Sequence, residues 1–183
     1  MAGSKKNKNE LQKIYSYFIK ILKSNNIDFI VFYGTLLGIV RDKDFIIGDD
    51  DIDVIVNRSN YKKIMNTIKK YNIKTKIVNS DIIQLYLNKL GPFDIYIYEI
   101  ENSKLKIPWE NDVYDINLIL PPKLINFYDE DIQIPNKSKK FLSHYYGYLW
   151  RIKNAPIIRN IQIIIIILVI IVATVTIKLP SIV

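Results

Sequence analysis

The sequence predicts an α+β fold, a mixed sheet flanked by helices, with a C-terminal transmembrane helix behind it. Three observations predict it. Helical and strand periodicities alternate through the first part of the chain, several strands then follow one another across turn residues, and residues 161–177 carry no charge. With 183 residues, 49% of them apolar, the chain is long and apolar enough to bury one core.

From Glu10 to Ser24 the residues Leu11, Ile14, Tyr15, Phe18, Ile21 and Leu22 recur at helical spacing, with Asn9 placed to cap the start. "IDFIVFY" (27–33) is a β-branched and aromatic run that stops at Gly34, as a buried strand stops at a turn. "TLLGIVR" then opens a short helix at Thr35. "DIDVIV" (51–56) alternates acidic and apolar residues before turning fully apolar, the pattern of a strand entering the core from a polar edge. "YKKIMNTIKKYN" (61–72) reads as a surface helix. "IIQLYLN" (82–88) and "FDIYIYEI" (93–100) form a hairpin around "KLGP", "LINFYDEDIQIP" (124–135) forms another that turns at Asp129 to Asp131, and "KSKKFLSHYYGYLW" (137–150) is helical up to Gly147. The expected division is a disordered basic tail at 1–9, a folded domain at 10–155 and a membrane helix at 161–177.

In the last of these only Gln162, Thr174 and Thr176 are polar, and at 1.5 Å per residue the stretch is roughly 25 Å of helix, near the short end of what spans a bilayer. Arg159 and Lys178 flank it. Lys139, Lys140, Arg151, Lys153 and Arg159 precede it, so the positive-inside bias leaves the main domain in the cytosol: a single-pass, C-terminally anchored membrane protein.

Lys and Arg outnumber Asp and Glu by 26 to 18, a surface that attracts phosphates, anionic headgroups or nucleic acid without choosing among them. The absence of cysteine excludes disulfides, thiol catalysis and Cys-built metal sites, and a single histidine excludes a His-rich one. Any metal is held by oxygen. In a strand, side chains at i and i+2 share a face, so Asp51 and Asp53 project together while Ile52 and Val54 enter the core. Two such carboxylates repel unless a cation sits between them, and oxygen donors favour Mg²⁺ or Mn²⁺. Asp94, acidic within the alternating "FDIYIY", is the candidate third ligand. Gly34-Thr35, a strand end opening a helix, lets backbone N–H groups approach a phosphate. The bland alternative for "DDD" is a solvated acidic turn.

"YGTLLGIVRDKDFIIGDDDIDV" (33–54) resembles the signature of the LicD/fukutin-related family: "GTLLG", an Arg three residues on, and "DDDID" after a fixed gap. "FDIYIY" and "SHYYGYLW" are similar to later family elements, so the resemblance covers roughly residues 10 to 155. Two departures stand out: Ile47-Gly48 replaces the family's Pro-Trp, and a cysteine-free chain lacks the zinc-binding insertion of eukaryotic relatives. The resemblance implies a nucleotidyltransferase-like fold and transfer of a substituted phosphate, phosphocholine or a phosphopolyol, from a CDP-linked donor to a glycan or glycolipid hydroxyl. It implies that Asp51, Asp53 and Asp94 hold the metal and carry catalysis, Asp94 sharing a second metal position or taking the acceptor proton. Gly34 and Thr35 would hold the phosphates, Gly38 would permit close packing there, and Arg41 would pair with a phosphate oxygen, the bland alternative for Arg41 being a surface residue paired with Asp42 or Asp44. Asp49 and Asp50 are equally helpers or a solvated loop. No nucleic-acid polymer is expected as a partner. Two other readings stay open: transfer of a nucleoside monophosphate to a protein or small molecule, and an inactive membrane-anchored relative.

Overall fold

The computed structural model describes residues 7–88 and 90–153. Helix α1 (Lys8–Ser24) starts two residues before the expected Glu10, capped by Asn7 rather than Asn9. Asn7 Oδ1 accepts the Glu10 N–H at 3.0 Å and the Glu10 carboxylate accepts the Asn7 N–H at 3.0 Å, a reciprocal capping box. Its buried stripe, Leu11, Ile14, Tyr15, Phe18 and Leu22, is the expected one.

The apolar run 27–33 is buried, apart from Asp28, yet only Ile30–Val31 pairs as strand β1. The reason is its partner. Ile30 and Val31 pair antiparallel with Ile55 and Val54, the Phe32 N–H donates to the Asp53 carbonyl at 3.1 Å, and the backbone then turns at once into α2 (Tyr33–Leu37). Helix α2 widens into one π turn, Gly38–Asp42, closed by Lys43 in the left-handed conformation (φ 58°).

Strand β2 (Ile52–Asn57) and helix α3 (Tyr61–Lys70) follow, then β3 (Lys74–Val78), β4 (Ile82–Leu87) and β5 (Leu90–Glu101). The expected hairpin is β4 and β5, paired antiparallel. Three further strands were not foreseeable from hydropathy: β3, half-exposed and lysine-bearing as an edge strand is, and the four-residue β6 (Lys104–Ile107) and β7 (Asp112–Asp115). The sheet runs β1-β2-β5-β4-β3, with β6 pairing β5 and β7 pairing β6. Its centre is the parallel pair β2 and β5, covered by α1, where the Phe18 and Phe93 rings lie 5.2 Å apart.

After the short helix α4 (Ile116–Ile119), strands β8 (Lys123–Phe127) and β9 (Glu130–Ile134) make a separate hairpin. It turns at Tyr128 and Asp129, one position before the expected turn, both with positive φ as a two-residue hairpin loop requires. Helix α5 (Ser138–Tyr146) comes last. The chain divides into two compact units, Met1–Phe141 and Leu142–Val183. In the described part of the second, Trp150 Nε1 donates to Ser143 Oγ at 2.8 Å and the Arg151 guanidinium lies over the Trp150 ring at 4.4 Å.

The α+β part of the expected fold class holds; its membrane helix is corrected. No helix among the described residues is long and apolar enough to cross a membrane. Residues 161–177, where the hydropathy places that helix, lie outside the described residues.

Candidate functional site

Parallel pairing of β2 with β5 sets Asp53 directly beside Asp94, so both side chains leave the same face of the sheet. Their neighbours Ile52, Val54, Phe93 and Ile95 are fully buried, which pins the register: a slip of one residue would drive both carboxylates into the core. Asp53 and Asp94 are themselves buried, 5% and 3% exposed, and among the described residues neither makes an ion pair with Lys or Arg. Two adjacent buried carboxylates without a cation are an expensive arrangement.

Each is held by a neutral donor. The Gly34 N–H donates to Asp53 Oδ2 at 3.0 Å, and the Asp53 N–H donates to Thr35 Oγ1 at 2.8 Å, so the Gly-Thr turn grips Asp53 from both its side chain and its backbone. Gln84, cross-strand from Asp94 on β4, donates its amide to both Asp94 oxygens at 3.0 and 3.2 Å, and Tyr86 Oη donates to Gln84 Oε1 at 3.3 Å. Asp49 approaches from the loop before β2. A Cβ placed on Gly34 would stand 3.2 Å from the carboxylates of both Asp49 and Asp53, so the absent side chain is what lets the two acids close over the turn.

Electrostatics follow burial. Burial first, then the charges of Asp51, Asp94 and Asp49, push the Asp53 carboxyl well above the usual carboxylate range. Burial raises Asp94 to about 6, against the pull of its Gln84 hydrogen bond, and raises Asp49 to about 6. The Tyr96 hydroxyl is pushed up by burial and then by Asp53, Asp94 and Asp51. A second grouping precedes β2: one carboxylate oxygen from each of Asp49, Asp50 and Asp51, all half-buried, lies within 4.8 Å of the others. Asp51 thus belongs to this half-buried trio and acts through its charge on Asp53. The donor set is carboxylate oxygen throughout, the chemistry that suits Mg²⁺ or Mn²⁺.

Gly34, Thr35, Asp53 and Asp94 are therefore brought together, whereas Asp51 precedes β2 and, among the described residues, its carboxylate comes within 4.8 Å of those of Asp49 and Asp50 rather than completing a trio with Asp53 and Asp94. Gly38 stands one helical turn on, where a Cβ would lie 2.6 Å from the Asp44 carbonyl, so it packs the π turn against the loop that leads to Asp49. Arg41 is turned to its neighbour: Nε and Nη2 donate to the two Asp42 oxygens at 3.0 and 2.8 Å. The same loop is clamped from outside, with Phe45 stacked on Tyr128 at 5.2 Å and Tyr128 Oη donating to Asp44 at 2.6 Å. Sequence reasoning missed Gln84. Its signal was present, a single amide in the otherwise apolar "IIQLYL", but only the strand pairing shows which carboxylate it faces.

A family model described as LicD/FKTN/FKRP, nucleotidyltransferase domain, matches residues 26–140. The lipopolysaccharide cholinephosphotransferase LicD of Haemophilus influenzae is 30% identical over 107 residues, 55% of this chain and 39% of that protein. The match thus spans well under two thirds of that relative's length. Among solved structures, the lincosamide antibiotic adenylyltransferase LnuA with lincomycin bound superposes with a TM-score of 0.55 at 14% identity, over 72% of this chain and 84% of that one. That likeness shows a shared nucleotidyltransferase fold.

Proposed function

The chain belongs to the LicD/FKTN/FKRP family of nucleotidyltransferase domains, and from that premise we propose that it is a transferase moving a substituted phosphate, phosphocholine or a phosphopolyol, from a CDP-linked donor to a glycan or glycolipid hydroxyl. The observation that carries the proposal is the register pair Asp53 and Asp94, two buried acids side by side with no basic partner among the described residues. The cholinephosphotransferase relative supports the choice of group transferred.

In this reading Asp51, Asp53 and Asp94 hold Mg²⁺ or Mn²⁺, with Asp49 beside them. When bound, the ion neutralises charge that develops on the leaving phosphate. The chain's own groups do the rest. Gly34 and Thr35 keep Asp53 in one rotamer and one backbone position, so no reorganisation is needed as charge moves. Asp94, oriented by Gln84, shares the second metal position or takes the proton of the acceptor hydroxyl. The acceptor oxygen forms a bond to the phosphorus that carries the head group, the bond from that phosphorus to the bridging oxygen breaks, and CMP leaves with the electron pair.

The test is CMP release from CDP-choline, CDP-ribitol and CDP-glycerol in the presence of Mg²⁺. The wild type releases CMP from one of them, and Asp53→Asn lowers the rate by at least a hundredfold without lowering its thermal midpoint. Equal turnover in the variant, or a nucleotide left on the acceptor, overturns the assignment.

A further inference from the structure

One cavity of the first unit is lined by none of the site acids and is of opposite character. It measures about 600 Å³, within the range of small-molecule sites, and is built from the π turn, the β8–β9 hairpin and the start of α5. Its floor is aliphatic: Ile39, Val40, Ile125 and Ile134. Its rim carries Lys43, Lys123, Lys137, Lys139 and Lys140, all exposed. Among the described residues none of these lysines forms an ion pair with a carboxylate. Elsewhere on the same unit lysines do find acids, as Lys23 finds Glu130 at 2.6 Å and Lys8 finds Asp44.

We propose that this cavity is a binding site for a phosphorylated amphiphile, its phosphate among the lysines and its alkyl chain on the isoleucine floor. The two halves of the lining require the two halves of the ligand. Five exposed lysines around one opening, none in an ion pair with a carboxylate among the described residues and Lys43 Nζ donating to the Val40 carbonyl at 3.3 Å, favour a phosphate, and they repel one another less with it in place. A free phosphate leaves the aliphatic floor wet, so an attached alkyl chain adds affinity with each CH₂ it buries. A nucleotide fits poorly, because among the described residues no lining side chain offers a ring for a base to stack on.

The cavity also has a covalent link to the acidic site. Ile39, Val40 and Lys43 belong to the π turn and its end, which continue α2 directly from Gly34 and Thr35. An amphiphile seated there is the anchored end of an acceptor. That role rests on the transferase reading above; the binding itself does not.

Binding is measured by calorimetry on the full chain, with dihexanoyl phosphatidic acid below its micelle concentration, dihexanoyl phosphatidylcholine and inorganic phosphate as separate titrants. The expected result is saturable binding of one phosphatidic acid per chain, with the zwitterionic lipid and the free phosphate each at least tenfold weaker. The triple variant Lys43→Gln, Lys123→Gln, Lys140→Gln weakens phosphatidic acid at least tenfold at an unchanged thermal midpoint. Val40→Trp, which fills the floor and keeps every charge, weakens the lipid and spares phosphate. Undiminished lipid binding in both variants, phosphate binding as tight as the lipid, or no saturable binding overturns the inference. Lipid binding without CMP release leaves it standing and counts against the transferase reading alone.

Discussion

At the scale of single residues, the site is a set of neutral donors arranged around acids. Thr35 is 2% exposed and its hydroxyl takes the Asp53 N–H, so Thr35→Val leaves a buried amide without an acceptor. The expected cost is about 1–3 kcal/mol in denaturant unfolding, with Thr35→Ser close to wild type; equal stability of the valine variant would remove the hydroxyl from the account. Gln84 acts on Asp94 in the opposite sense to burial, since its amide stabilises the charged carboxylate. Gln84→Leu therefore raises the Asp94 pKa further, and the acid limb of the kcat/KM profile moves to higher pH. An unmoved limb with a lower plateau would reduce Gln84 to packing.

At the scale of elements, legibility tracked burial. The stripe of α1 and the apolar runs of β2 and β5 were readable because each buries one continuous face, and the Gly-Thr turn and acidic cluster were readable because small and charged residues interrupt those runs. The edge strand β3 escaped notice because alternate lysines mask its period, and β6 and β7 are too short to show one. Partnership was not readable at all. That Asp53 stands beside Asp94 follows from β2 and β5 being parallel neighbours, which no local pattern encodes. For Arg41 the sequence offers either a phosphate oxygen or the nearby Asp42 or Asp44, and in the structure its guanidinium donates to Asp42.

For the whole molecule, the buried acids make stability depend on pH in a definite direction. Asp49 and Asp94 sit at about 6 in the folded chain against 3.8 as the ordinary value, so the folded state binds protons more tightly than the unfolded one. Their contribution is fully present below about pH 4 and is lost as pH rises through about 6, each unit of displacement being worth about 1.4 kcal/mol. The acids held low, half-buried Asp44 and exposed Glu101 and Asp115, act in the other direction, and only as pH falls below about 4. In chelator, the thermal midpoint is therefore lower at about pH 7 than at about pH 5, and the difference shrinks in Asp94→Asn; a midpoint that rises over this interval contradicts the burial argument. The central claim, that acids from two parallel strands form one cation site, is tested most directly by electron paramagnetic resonance of Mn²⁺ titrated into the full chain at neutral pH. The account predicts saturable binding that Mg²⁺ competes away and that the double variant Asp53→Asn, Asp94→Asn weakens at least tenfold. Binding of Mn²⁺ by that variant as tight as by the wild type would contradict it.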